Sequence, residues 1–94
     1  MNDYTQISFL ISSLQNKDLD SYTYLYDQYA TALYGISYRI VHNVQDASDI
    51  LHEVFIDVYN RIHLFNSYNG ITLFTWMSQI TYTKAYACYQ KKQN

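Results

Sequence analysis

A chain with no proline and only two glycines has almost nothing with which to interrupt a helix. Apolar residues recur at spacings of three and four through nearly all of its 94 residues, which is the helical period. Ile7, Leu10, Ile11 and Leu14 predict a short first helix, broken at Asn16-Lys17-Asp18, where Asp18 can cap the next. The second helix is expected from Leu19 to Val41, its apolar positions including Tyr22, Leu25, Tyr26, Tyr29, Leu33, Ile36, Ile40 and Val41. Gly35 falls inside it, at a cost of up to about 1 kcal/mol relative to alanine, and would suit a close helix crossing.

His42-Asn43-Val44-Gln45 reads as a short connection, and Asp46 as the N-cap of the third helix. In that helix Ile50, Leu51, Val54, Phe55, Val58, Tyr59 and Ile62 form one stripe, with His52, Glu53, Asp57 and Asn60 opposite. Asn66-Ser67-Tyr68-Asn69-Gly70 is a turn signal, and Thr72 can cap a last helix carrying Leu73, Trp76, Met77, Ile80, Lys84, Ala87 and Cys88. Helices joined by short connections imply an all-α fold, a compact bundle of three to four helices in one domain.

Several function classes drop out. The apolar content of 49% argues against disorder. Cys88 is the single cysteine, so no intramolecular disulfide is available. The start, Met1-Asn2-Asp3-Tyr4, is not that of a signal peptide, and no apolar run approaches the roughly 20 residues of a membrane span. The expectation is a cytoplasmic protein without membrane insertion. His42, His52 and His63 share no helical face and no cysteine joins them, so no metal site is expected. With no glycine-rich phosphate loop and no nucleophile paired with a base, the chain reads as a non-enzyme with no cofactor.

Charge is distributed unevenly about a net −2. All eight acids precede Val58, offset there only by Lys17 and Arg39, whereas Arg61, Lys84, Lys91 and Lys92 follow with no acid among them. Such asymmetry predicts two partners of opposite sign. Asp49, Glu53 and Asp57, spaced by four, share a face where like charges repel by a few tenths of a kcal/mol until a cationic partner relieves them. The later segment offers lysines for phosphates, and Tyr68, Phe74, Trp76, Tyr82, Tyr86 and Tyr89 as faces for unstacked bases. Of these Trp76 falls on the apolar stripe and reads as core, whereas Phe74 and Tyr82 lie off it.

From Leu25 to Lys92 the chain resembles the second conserved region of extracytoplasmic-function (ECF) RNA polymerase sigma factors. The resemblance rests on Leu25-Tyr26-Asp27-Gln28-Tyr29, Leu33-Tyr34, and Asp46-Ala47-Ser48-Asp49-Ile50-Leu51-His52-Glu53-Val54-Phe55. Phe65-Asn66, Leu73-Phe74-Thr75-Trp76-Met77 and Ile80 come after these in the family's order and spacing. It implies a sigma region 2-like bundle over residues 1–94, the −35-binding domain of complete members being absent from this chain. The implied function is transcription initiation: docking on the clamp helices of the polymerase β′ subunit, and recognising and melting the −10 promoter element by capturing its non-template strand.

By that resemblance Asp46, Asp49, His52, Glu53 and Asp57 contact polymerase, His52 standing where the family usually has glutamine. Asn66, Tyr68, Asn69, Phe74, Tyr82, Lys84, Lys91 and Lys92 are the DNA candidates, and Asn66 to Thr72 the loop that holds a flipped base. An anti-sigma factor is a further partner the family allows. The sequence departs from the family after Ile80, where Thr81-Tyr82-Thr83-Lys84 stands in place of Ala-Arg-Asn and Ala87 in place of an aspartate. Lysines also stand for the usual arginines. Weak, salt-sensitive DNA affinity is therefore expected. The alternative expectation is a sigma-like interaction module that binds polymerase or a regulator without reading DNA.

Overall fold

The computed structural model describes residues 3–66 and 70–93, with side chains from residue 9 onward. The elements are α1 (Asp3–Gln15), α2 (Leu19–Val41), α3 (Val44–Arg61), a 3-10 turn (Ile62–Leu64) and α4 (Leu73–Gln93). Helices α2, α3 and α4 pack against one another, and α1 lies on α2 and the 3-10 turn. This is the all-α bundle that the apolar periodicity predicts, with no strand among the described residues.

The core is drawn from every helix. Leu25 and Leu33 of α2, Val54 and Val58 of α3 and Met77 of α4 are fully buried, and Ile11 and Leu14 bring α1 onto them. Each such aliphatic side chain contributes about 1.5–3 kcal/mol. On α3 the buried set is Ala47, Ile50, Leu51, Val54, Phe55 and Val58, the stripe expected from spacing with Ala47 added and Tyr59 only half-buried. On α4 the stripe runs Leu73, Met77, Ile80, Thr81 and Ala85, and Ala87 is exposed. Thr81 is tolerated there because its Oγ1 donates to Met77 O at 2.8 Å.

The connections correct two expectations. Helix α3 begins at Val44, and its N-cap is Asn43, not Asp46: the extended Asn43 accepts from Asp46 N–H through Oδ1 at 2.8 Å. Asp46 thereby falls in the first turn, with its carboxylate released for another partner. Gly35 makes no close crossing either, since a Cβ built there would meet nothing within 4 Å. Thr72 does cap α4, accepting from Thr75 N–H at 3.0 Å. Asp18 sits at the N-cap of α2 but bonds no helix N–H with its side chain, which accepts instead from Ser21 Oγ at 2.7 Å.

Helix α1 ends in a Schellman arrangement. Asp18 N–H donates to Ser13 O and Lys17 N–H to Leu14 O, with Lys17 left-handed at φ 62°. Glycine usually occupies that position, and a lysine there carries a backbone cost of about 1–2 kcal/mol. It is offset by what the side chain reaches. The Lys17 ammonium donates to Tyr59 O at the end of α3 and lies 4.0 Å from the Tyr59 ring centroid. No helix among the described residues is long and apolar enough to cross a membrane.

Candidate functional site

The acids of α3 separate into two sets. Asp49, His52 and Glu53 are exposed, as are Ile56 and Asn60 further along the same side, while Asp46 and Asp57 are half-buried toward α4. Lys84 of α4 lies 3.0 Å from Asp57 Oδ2, and Arg61 approaches the same oxygen at 3.9 Å. The Lys92 ammonium is paired with Asp46 Oδ2, an oxygen otherwise shut away from solvent, and that bond raises the Lys92 pKa. The acids and lysines that the charge asymmetry assigns to two outside partners are thus in part partners of each other. Glu53 forms no ion pair with any described residue. Asp49 accepts from Gln45 Nε2 at 2.9 Å, a neutral donor four residues back that leaves its charge uncompensated.

Ile56 is a residue that pattern reading passes over. It is 59% exposed, one turn beyond His52 and Glu53 and off the buried stripe. An isolated apolar residue on an otherwise polar helix face was the available signal. With Asp49, His52 and Glu53 it gives α3 an outward surface of acids around an aliphatic side chain, suited to a helix that offers both cations and apolar contact.

On α4 the expected nucleic-acid candidates do not form one surface. Tyr82, Tyr86 and Tyr89 are exposed and share a face, the first two with rings parallel within 18° at 6.3 Å. Lys84, Cys88 and Lys91 share a different face and line a groove of about 440 Å³ with Asp46, Asp49 and Glu53. Phe74 is not free for a strand: its ring is half-buried and stacked on Tyr29 at 5.5 Å. Trp76 is partly buried as well, 5.4 Å from Phe65, yet one side of it remains open. Tyr68 and Asn69 lie outside the described residues.

Trp76 joins two cavities. A small one of about 120 Å³ is lined by Leu64, Phe65, Asn66, Ile71 and Trp76, at the base of the turn before α4. A larger groove of about 350 Å³ continues past Trp76 between α3 and α4, lined by Asp57, Arg61, Gln79, Ile80, Thr83 and Lys84. Lys84 in turn lines the acid-walled groove beyond. An aromatic-walled recess therefore shares Trp76 with a crevice of two cations, the Asp57 carboxylate that both approach, and two neutral polar side chains. Such an arrangement can hold a flat apolar ring with an anionic tail. Of the sequence candidates, Asn66 and Lys84 stand along this track; Arg61, Gln79 and Thr83 on it were not anticipated. Among the described residues no three His, Cys, Asp or Glu side chains gather as a metal-ligand group.

The sigma-70 region 2 family matches residues 25–94, which covers α2 from Leu25, α3 and α4. Over 70 residues the chain is 31% identical to the ECF RNA polymerase sigma factor SigW of Bacillus subtilis (strain 168), an alignment covering 74% of this chain. The aligned part is 36% of that relative's length. No solved structure matches.

Proposed function

The chain belongs to the sigma-70 region 2 family as an ECF sigma factor domain of transcription initiation, and from that premise we propose that α3 docks it on RNA polymerase while the Trp76 crevice captures promoter DNA. The family acts in initiation without catalysing a reaction. The docking element is the outward face of α3, where Asp49, His52, Glu53 and Ile56 meet the β′ clamp helices. The uncompensated charge of Asp49 and Glu53 is the observation that carries this reading. A cationic clamp would relieve their repulsion and form charge-assisted hydrogen bonds. Asp46 and Asp57, already paired with Lys92 and Lys84, contribute chiefly by fixing α4 against α3.

For the −10 element, the recess of Phe65, Asn66, Ile71 and Trp76 takes one unstacked base of the non-template strand. Stacking of this kind is worth about 1–3 kcal/mol per base. Arg61 and Lys84 then follow the phosphates through the neighbouring groove. A polymerase partner places the protein in the cytoplasm. Titration of a β′ clamp fragment and of single-stranded −10 oligonucleotides tests both halves. Saturable binding of each is expected, and absence of clamp binding would overturn the docking assignment.

One observation favours a second reading, a polymerase- or regulator-binding module that does not read DNA. Two of the three lysines of α4 are neutralised within the fold. Clamp binding with no oligonucleotide binding at low salt would decide for it.

A further inference from the structure

We infer that Gln15 and Lys17, at the corner between α1 and α2, are positioning residues for the base-capturing recess. The role rests on the proposed strand capture but stands on contacts of its own. The corner lies before residue 25, where the family match begins. It reaches far along the chain to three backbone carbonyls, those of Tyr59, Ile62 and Phe65. Lys17 donates to Tyr59 O. Gln15 Nε2 bridges two carbonyls, Ile62 O at 3.3 Å and Phe65 O at 3.4 Å.

These carbonyls close α3 and the 3-10 turn, where a helix leaves acceptors without intrahelical partners. Phe65 N–H already returns to Ile62 O at 3.0 Å, so the Gln15 amide ties both ends of the same turn. Phe65 is also a wall of the recess and packs against Trp76. Gln15 thus fixes the backbone of the residue whose ring shapes the pocket, and Lys17 fixes the helix end just before it. Attachment of α1 does not need these bonds, since Ile11 and Leu14 are already buried in the core. The two polar side chains instead set where the turn ends and at what angle Phe65 meets Trp76.

The test uses the whole chain carrying Gln15→Met or Lys17→Met, with Gln15→Asn as a milder variant that keeps the amide but shortens its reach. Trp76 is the single tryptophan, so its emission and its quenching by acrylamide report the pocket directly. The second readout is the affinity ratio between a single-stranded −10 oligonucleotide and copies with one abasic site moved along it. The third is affinity for the β′ clamp fragment. Expected are greater quenching of Trp76, a base-to-abasic ratio lowered about fivefold, the size of one net hydrogen bond, and unchanged clamp affinity. Unchanged quenching in a folded variant overturns the positioning role whether or not DNA binds. If the unaltered chain shows no preference for base over abasic DNA, strand capture itself fails, and with it the assignment of these residues to it.

Discussion

Lys84 Nζ lies 3.0 Å from Asp57 Oδ2, which makes a cation of the C-terminal helix a tie to the acidic helix, its charge partly offset before any phosphate reaches it. Both side chains are about a quarter to a third exposed, at 26% and 32%, so the pair is partly screened. Lys84→Met is expected to cost about 0.5–1 kcal/mol, read as a lower denaturant midpoint. Lys84→Glu should cost more, because it sets an acid against Asp57. A charge reversal with no loss of stability would show that the pair does not hold α3 to α4.

Lys91 differs from Lys84 in having no ion-pair partner among the described residues. Lys91→Met should lower the salt slope of oligonucleotide binding by about one unit. Lys84→Met should lower it less, since Asp57 already offsets that charge. Equal slopes for the two variants would contradict the distinction.

Glu53→Lys is expected to abolish binding to the β′ clamp fragment while leaving helicity unchanged. Glu53 is exposed and forms no ion pair among the described residues, so its reversal removes attraction to a cationic partner without disturbing packing. Circular dichroism and calorimetric titration check the two halves. Retained affinity would move the docking surface off α3.

Gly35→Ala should stabilise the protein by about 0.5–1 kcal/mol. Gly35 lies inside α2 with open space where a Cβ would go, so alanine gains helix propensity without a clash. Thermal unfolding measures it, and a destabilised variant would mean that the position serves a contact with a partner in the folded chain.

Stability should fall at alkaline pH. Burial pushes the Tyr22 hydroxyl from 10.0 up to about 12, where its ring faces Phe55 and Tyr59. A raised pKa in the fold means full stabilisation below the unfolded value and loss as pH climbs through the folded one. The decline therefore runs from about pH 10 to about pH 12 for Tyr22. Lys92, its pKa raised by the hydrogen bond to Asp46, acts in the same direction. Denaturant titrations across this window should show Tyr22→Phe losing less stability than the parent chain.

The limits of α2, most of the buried stripe of α3 and the Thr72 cap were legible in the sequence because each depends on residues within a turn or two of one another. The cap of α3 was read three residues late, at Asp46, because both asparagine and aspartate suit a cap and only the extended backbone of Asn43 shows where the helix begins. Phe74 was misread for a related reason: spacing puts it off the stripe of its own helix, but Tyr29 of another helix covers it.

The sequence by itself determined that this chain is a bundle of amphipathic helices and which face of α3 is apolar, since helical periodicity is a local property. Tertiary structure alone decided which charges stay outward. Asp46 and Lys92, like Asp57 and Lys84, are far apart along the chain and become neighbours only where α4 crosses α3. Coulomb attraction acts through space, so the surface left for a partner is what remains after those pairs form.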